Sequence, residues 1–249
     1  MHCVFGLMVT GKGERDFLPS FFRSLPQRAN CSFRVMARIG QRDPIASPAR
    51  KLKMVGSGKI IPTEDEKDIG LPARRFARDR EGDEHCRRFL ILIDDVEAGR
   101  RSRIEQVYER YRRALDTMLS GDERRRVAVH FLANMLEAYY FANSAAINEA
   151  LGTAVLAGDY DGDVEEIPHP KNEIKNLFAG FDERNDGAKI VPRLDLDHIL
   201  RNSETCAFLR SLFGWCVARL SENAEVWHDE LTACYRLEGG RQEALTRDQ

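Results

Sequence analysis

The stretch FLILIDDVE, residues 89–97, decides the fold class. Its first five residues are uninterruptedly apolar, which is typical of a strand covered on both faces, as in a parallel sheet. Three carboxylates follow at once, and ligands of open parallel sheets gather beyond the carboxyl ends of the strands. The stretch therefore predicts an α/β core and places its chemistry at Asp94, Asp95 and Glu97.

Further strands are predicted on both sides of this stretch. Residues 3–9 form a short apolar run, residues 32–39 alternate in polarity, and residues 127–132 form another apolar run. Apolar residues at three- and four-residue spacing predict a helix over 14–25, after a glycine turn. Strand, turn, helix and strand in this order indicate a βαβ unit and a mostly parallel sheet flanked by helices.

The chain is predicted to have two regions. Residues 1–150 form the α/β core, interrupted by a long excursion at 41–72 that carries four prolines. Within this core, residues 102–119 and 134–142 are expected to be helices. Residues 151–249 form a mainly helical extension packed on the core, with a frayed tail from residue 238.

Composition narrows the class of protein. The 249 residues carry 38 basic and 40 acidic side chains, so no overall basic field points to nucleic acid. Arginines nevertheless concentrate between residues 74 and 126. The six cysteines contain no C-x-x-C pair, which disfavours a zinc site. No signal peptide and no apolar run of about 20 residues is visible, so a cytoplasmic protein without membrane contact is expected.

Carboxylates at the ends of the predicted strands make a metal site the first hypothesis. The candidate catalytic residues are Glu14, Asp94, Asp95, Glu97 and Glu137. Oxygen ligands of this kind suit Mg²⁺ or Mn²⁺, which would orient a substrate phosphate or activate water. Glu14, Asp95 and Glu97 are the predicted metal ligands. The turn Gly11-Lys12-Gly13, at a helix start, is the predicted phosphate-binding segment.

Each acid also has a structural interpretation. Glu14 is favoured in the first turn of a helix by the helix dipole, and Glu137 fits the solvent side of its helix. Paired aspartates after a strand often form turns, and arginines of the 74–126 region can neutralise them. The sequence contains no P-loop and no G-x-S-x-G nucleophile elbow, which disfavours those two enzyme classes.

The order of the motifs resembles the Toprim fold of topoisomerases, primases and overcoming-lysogenization-defect nucleases. The motifs are the segments 9–14 (VTGKGE) and 92–97 (LIDDVE). More closely, the chain is similar to an uncharacterised bacterial Toprim-like family. That likeness continues through 134–140, 169–173 and 206–213, and so spans most of the chain. Toprim sites generally carry a glutamate where this chain has Thr10, and a D-x-D that becomes D-x-E when counted from Asp95.

The resemblance implies a metal-dependent nuclease, with Glu137 at the family's acidic helix position. In such a nuclease, arginines of residues 74–126 and Lys12 are expected to bind the phosphates of the substrate. It also implies an AAA- or ABC-type ATPase partner in phage defence. One alternative is a non-catalytic Toprim-like protein that docks to the ATPase, its acids paired with arginines. Another is a nucleotide-binding or small-phosphate enzyme that uses the glycine turn alone. Nucleic acid as a partner and a homodimer are both left open.

Overall fold

Four strands form one sheet in which every neighbouring pair is parallel. In a computed structural model that describes residues 1–44, 54–55, 59–60, 62–79, 85–222, 228–247 and 249, the strand order is β2-β1-β5-β6. The strands are β1 (His2–Val9), β2 (Cys31–Arg38), β5 (Cys86–Val96) and β6 (Val127–Ala133). The predicted α/β class with a parallel sheet is confirmed.

Both faces of the sheet are covered, as the unbroken apolar run of β5 requires. Phe89, Ile91 and Ile93 belong to one buried hydrophobic cluster, and Leu90 and Leu92 belong to a second. Because successive side chains of a strand point to opposite faces, the two clusters lie on opposite sides of the sheet. The sheet is therefore the middle layer of three.

Helices supply the two outer layers. The helices before β6 are α1 (Lys12–Phe21), α2 (Ser24–Arg28), α3 (Leu71–Arg78), α4 (Ala98–Arg101), α5 (Ile104–Met118) and α6 (Gly121–Arg124). Those after it are α7 (Ser144–Leu151), α8 (Pro170–Leu177), α9 (Glu183–Ile190), α10 (Leu196–Arg201), α11 (Ala207–Ser221), α12 (His228–Cys234) and α13 (Ala244–Arg247). A helical C-terminal region is thus confirmed. None of the described helices is long and apolar enough to cross a membrane.

The excursion at 41–72 lies partly outside the described residues. Its described parts include the short antiparallel pair β3 (Met54–Val55) and β4 (Lys59–Ile60), and a π-helix over Glu66–Gly70. Arg42 and Arg110 both bind the carboxylate of Asp65, at 2.8 Å and 2.7 Å. Asp65 thus joins the start of the excursion to its later part through Arg42, and Arg110 attaches it to α5.

Three predicted elements differ in the structure. The helix expected over 14–25 ends at Phe21 and is followed by α2. The helix expected over 134–142 is a 3₁₀ helix over Leu136–Ala142, preceded by a sharp corner. The tail expected to fray from residue 238 contains α13, and the Gln249 side chain pairs with both backbone groups of Val129, at 2.8 Å and 2.7 Å.

The region after residue 150 shares a core with the sheet. Trp215 of α11 packs edge-on against Phe5 and Phe89, with ring centroids 6.3 Å and 6.0 Å apart. One buried cluster contains residues from β1 as well as from α11 and α12. The division of the chain at residue 150 stays a prediction.

Candidate functional site

A cleft of about 960 Å³ lies at the carboxyl ends of the strands, beside the first turn of α1. Acidic and basic side chains both line it. The acids are Glu14, Asp16, Asp95, Glu97, Glu137 and Glu183. The bases are Lys12, Arg15, Arg38, Lys171 and Arg184. Four of the five predicted catalytic acids therefore meet at one place, and Asp94 is the exception.

Asp94 is fully buried and its carboxylate is already saturated with donors. Thr10 Oγ1 donates to one oxygen at 2.7 Å, while Arg100 Nη2 and the Tyr111 hydroxyl donate to the other at 2.7 Å and 2.9 Å. Thr10 thus uses its hydroxyl to bind Asp94, at the position where a Toprim site has a glutamate. This geometry gives Asp94 a structural task, and its catalytic role stays a prediction.

Asp95 points to the other face of the strand, toward the cleft. Only 7% of the residue is exposed, and burial raises the pKa of its carboxyl to about 8, with the charge of Glu14 as the next cause. The backbone N–H of Met135 donates to Oδ1 at 2.8 Å and lowers the pKa in part. No arginine neutralises this carboxylate among the described residues.

Glu14 folds back over the glycine turn that precedes it. A Cβ placed on Gly11 would lie 1.7 Å from Glu14 Oε2, so only glycine leaves room for this carboxylate. The Glu14 side chain is buried, and burial together with the charges of Glu137 and Asp94 raises its pKa. The Glu14 carboxylate therefore occupies the space beside Gly11, whereas Gly13 has open space around it, and phosphate binding by this turn stays a prediction.

Glu137 enters from the 3₁₀ helix after β6. Burial raises the pKa of its carboxyl, and the charge of Lys171 lowers it in part. The Lys171 ammonium donates to Glu183 at 2.8 Å. Burial lowers the pKa of Lys171, but the hydrogen bond to Glu183 and the charge of Glu137 outweigh burial, so the pKa is raised overall. Glu137 is half-buried and lines the cleft, whereas the structural interpretation placed it on the solvent side of its helix.

Glu97 has a different setting from the other acids. It is exposed at the rim of the cleft and is the N-cap residue of α4, without a capping hydrogen bond from its side chain. Asp95 and Glu97 lie two residues apart and so share a face of the chain, as the D-x-E spacing predicts. The structure brings Glu97 to the cleft, but Glu97 is exposed whereas Glu14 and Asp95 are buried and Glu137 is half-buried.

Three exposed cations at the cleft lack a bound carboxylate among the described residues: Lys12, Arg38 and Arg184. In contrast, no described arginine of the 74–126 region lines the cleft. Several of those arginines pair with acids elsewhere, such as Arg78 with Glu123 at 2.6 Å. The cations available to a phosphate therefore come from α1, β2, α8 and α9.

The donor chemistry of the cleft fits a hard divalent cation. Across the described ranges, no three acids, histidines or cysteines stand close enough to ligate one ion together. Mg²⁺, however, is usually held by one or two carboxylates and completed by waters and substrate phosphates. Glu14 and Asp95 meet that requirement, because each is buried and the charge of Glu14 raises the pKa of Asp95.

Sequence reasoning did not identify the cations from distant parts of the chain. Lys171 and Arg184 belong to α8 and α9, in the region after residue 150, and no local pattern sets them apart from other surface bases. The corner at Asn134 and Met135 was also missed. An asparagine directly after a buried strand was the available signal, since asparagine tolerates left-handed backbone conformations.

The histidines contribute nothing to this cleft. His130 is fully buried in β6 and packs against Trp215 at 6.2 Å between ring centroids, but neither ring nitrogen has a hydrogen-bond partner. Burial lowers its pKa to about 3.

Comparisons with known proteins returned no match among family models, curated proteins or solved structures.

Proposed function

We propose that this chain is a metal-dependent phosphodiesterase of Toprim type, a nuclease whose active site is the cleft at the carboxyl ends of the strands. The observation that supports it is the convergence of buried Glu14, buried Asp95 and half-buried Glu137, which reach one cleft from three elements and pair with no arginine among the described residues. Buried like charges repel one another unless a cation compensates them. A divalent ion is the compensation that the donor set favours.

Each residue of the cleft has a role in this proposal. Glu14 and Asp95 would hold Mg²⁺ or Mn²⁺, and Glu97 and Glu137 line the same cleft, where they would bind its waters. A bound ion of this kind supplies a polarised phosphoryl oxygen and an activated water. Asp94 keeps Arg100 and Thr10 in place behind Asp95. Lys171, held between Glu183 and Glu137, places a positive charge beside the reacting phosphate.

The unpaired cations favour a substrate with more than one phosphate. Lys12, Arg38 and Arg184 come from three separate elements around the mouth of the cleft. Guanidinium groups bind phosphate in a bidentate manner, and a lysine acts as a point charge. A nucleic-acid strand presents successive phosphates to such a rim, so DNA or RNA is the substrate class we infer.

The non-catalytic alternative requires the acids to be neutralised by arginine. Asp94 meets this requirement through Arg100, but Glu14, Asp95 and Glu137 pair with no arginine in the described part of the chain. The glycine-turn alternative requires free backbone N–H groups beside Gly11, where the Glu14 carboxylate lies. The geometry therefore favours the metal-dependent reaction. An ATPase partner, a part in phage defence and a homodimer rest on the resemblance alone.

A cleavage assay tests the proposed reaction. Wild-type protein, Glu14→Gln and Asp95→Asn are incubated with Mn²⁺ or Mg²⁺ and labelled single-stranded DNA, double-stranded DNA or RNA. We expect wild type to cleave at least one substrate and both variants to lose activity by about 100-fold or more, because each removes a ligand charge.

Asp161→Asn is the matched control, since Asp161 is exposed and has no polar partner among the described residues. It should cleave at the wild-type rate. Cleavage that survives in Asp95→Asn, or that proceeds equally in excess chelator, would contradict the proposal.

A further inference from the structure

The chain turns into the 3₁₀ helix through two consecutive residues with positive φ. Asn134 has φ 54°, and Met135 has φ 77° with ψ 162°. Asparagine adopts such values more readily than most residues, whereas the conformation of Met135 belongs to a region that is essentially restricted to glycine. Strained backbone of this kind persists only where surrounding contacts enforce it, and it clusters at functional sites.

Several contacts enforce this corner. The Asn134 backbone N–H donates to Val96 O at 3.1 Å, and its side-chain Nδ2 donates to Glu165 O at 2.8 Å. The Tyr139 hydroxyl accepts from Ala133 N at 3.2 Å and donates to Glu165 Oε1 at 2.9 Å. The corner is therefore attached to the end of β5 on one side and to the buried Glu165 segment on the other.

The corner aims one group at the cleft. The Met135 N–H meets Asp95 Oδ1 at 2.8 Å, and it is the only hydrogen-bond donor to this carboxylate among the described residues. None of the described residues donates to Asp95 Oδ2, and Asp95 lines the cleft. With one oxygen fixed by a rigid backbone group, the carboxylate has a defined orientation before any ligand arrives.

We propose that the Asn134–Met135 corner is a positioning device for Asp95, and that Asn134 is the positioning residue that holds it in shape. The proposal deepens the proposed function and rests on it for its consequence in catalysis. Groups that orient the ligands of a metal commonly change metal affinity or activity by about 10- to 100-fold when they are removed. Asn134 does so through the backbone, with no contact of its own to the substrate.

Variants of Asn134 separate its two contributions. Asn134→Ala loses the anchor to Glu165 and disfavours positive φ, so we expect Mn²⁺ binding, measured by calorimetry with the metal alone, to weaken about 10- to 100-fold. The turnover number kcat should fall while the KM for nucleic acid stays within about twofold, because the rim cations are untouched. Asn134→Gly keeps positive φ accessible and should recover most of the loss.

Asn176→Ala is the control, since Asn176 is exposed on α8 and has no polar partner among the described residues. It should match wild type in affinity and rate. Wild-type Mn²⁺ affinity in Asn134→Ala would overturn the proposal. Equal losses in the alanine and glycine variants would overturn the role given to the backbone conformation.

Hydrogen exchange of the Met135 amide gives a second test that needs neither metal nor activity. Asp95→Ala removes the acceptor and should accelerate exchange of this N–H, while Asp95→Asn keeps an acceptor oxygen and should leave it protected. Unchanged exchange in Asp95→Ala would show that the corner does not hold Asp95. If wild type neither binds Mn²⁺ nor cleaves, the proposed function fails, and the exchange result still decides the geometry of the corner.

Discussion

Two neighbouring carboxylates at the end of β5 have opposite surroundings because successive side chains of a strand point to opposite faces. Asp94 faces α4 and α5, from which Arg100 and Tyr111 donate to it, and Asp95 faces the cleft, where Met135 N–H is its donor. The protein itself neutralises the first carboxylate. The second is left for a ligand, which is the physical basis of the proposed metal site.

The ion pair of Asp94 is predicted to be a main support of this strand end. Arg100 also donates to the carbonyls of Asp95 and Arg42, at 2.6 Å and 2.7 Å. Arg100→Ala should lower the free energy of unfolding by about 3 kcal/mol, because it leaves a buried carboxylate without its counter-ion. Arg100→Lys should recover part of the loss, since the charge remains but the planar fork does not.

Urea unfolding at neutral pH measures both variants. Arg125→Ala is the control, because Arg125 forms an exposed ion pair with Asp122 that is expected to contribute little. A loss for Arg100→Ala no greater than the loss for Arg125→Ala would contradict the structural role of Arg100.

At the scale of elements, Glu165 closes the N-terminus of α11. Its carboxylate accepts the backbone N–H groups of Phe208 and Leu209, at 3.0 Å and 3.3 Å to Oε1. Complete burial nevertheless dominates and raises the pKa of Glu165 from 4.5 to about 7. The element that packs across the sheet therefore begins at a group that titrates near neutral pH.

This pKa predicts how stability depends on pH. Between pH 4.5 and about 7 the folded protein keeps the Glu165 proton that the unfolded chain has already lost, so Glu165 makes stability fall as pH rises. Above about pH 7 its contribution is constant. Glu165→Gln should remove this slope, worth on the order of 3 kcal/mol across the window, relative to wild type.

The test measures the free energy of unfolding of wild type and Glu165→Gln from pH 4.5 to 8. Subtracting one curve from the other cancels the contributions of the other titrating groups. Glu173→Gln, at an exposed glutamate of α8 with no polar partner among the described residues, should reproduce the wild-type curve. Parallel curves for wild type and Glu165→Gln would show that Glu165 titrates normally.

Local patterns predicted the elements whose structure is decided locally. The apolar run of residues 89–93 became the strand next to both β1 and β6, as its composition required. The segment 134–142 did not become the predicted α-helix. Its first two residues are held at positive φ by Val96, Glu165 and Asp95, and these tertiary contacts are not visible in a single sequence.

The acids of the site were predictable because strand ends of a parallel sheet meet at one edge. Alternation along β5 was available to separate the cleft-facing Asp95 from Asp94. The cations were not predictable, since Lys171 and Arg184 reach the cleft only when the C-terminal region packs on the sheet. The arginine-rich stretch 74–126 was predicted to bind phosphate, but none of its described arginines lines the cleft. Composition alone does not show which way a side chain faces.

At the scale of the whole molecule, one buried arginine, Arg210, links several segments of the C-terminal region by hydrogen bonds. Arg210 is fully buried in α11, and each of its hydrogen bonds ends on a backbone carbonyl. The acceptors are Leu200, Asn202, Thr205, Tyr235 and Arg241, at distances from 2.7 Å to 3.1 Å. One side chain thus joins the segment after α10 to the segment after α12.

Arg210→Met is predicted to destabilise the protein severely. It fills most of the volume but leaves five carbonyls without their donor, and each unsatisfied buried group costs about 1–3 kcal/mol. We expect a loss of about 4 kcal/mol or more in the free energy of unfolding. Arg201→Met, at an exposed arginine of α10, should change it by less than about 0.5 kcal/mol. Similar small losses in both variants would contradict this role.

Metal binding to the folded protein is the central claim, and thermal unfolding with added Mn²⁺ or Mg²⁺ tests it most directly. Wild type and Asp95→Asn are compared, with and without chelator. A ligand that binds only the folded state adds about 2.7 kcal/mol at a hundredfold excess over its Kd, which raises Tm by several degrees. We expect this rise in wild type and none in Asp95→Asn. Without metal, the Tm of Asp95→Asn should exceed that of wild type, because a buried carboxyl with a pKa raised to about 8 destabilises the fold at neutral pH. No rise in wild type, or the same rise in both proteins, would contradict a metal site at Asp95.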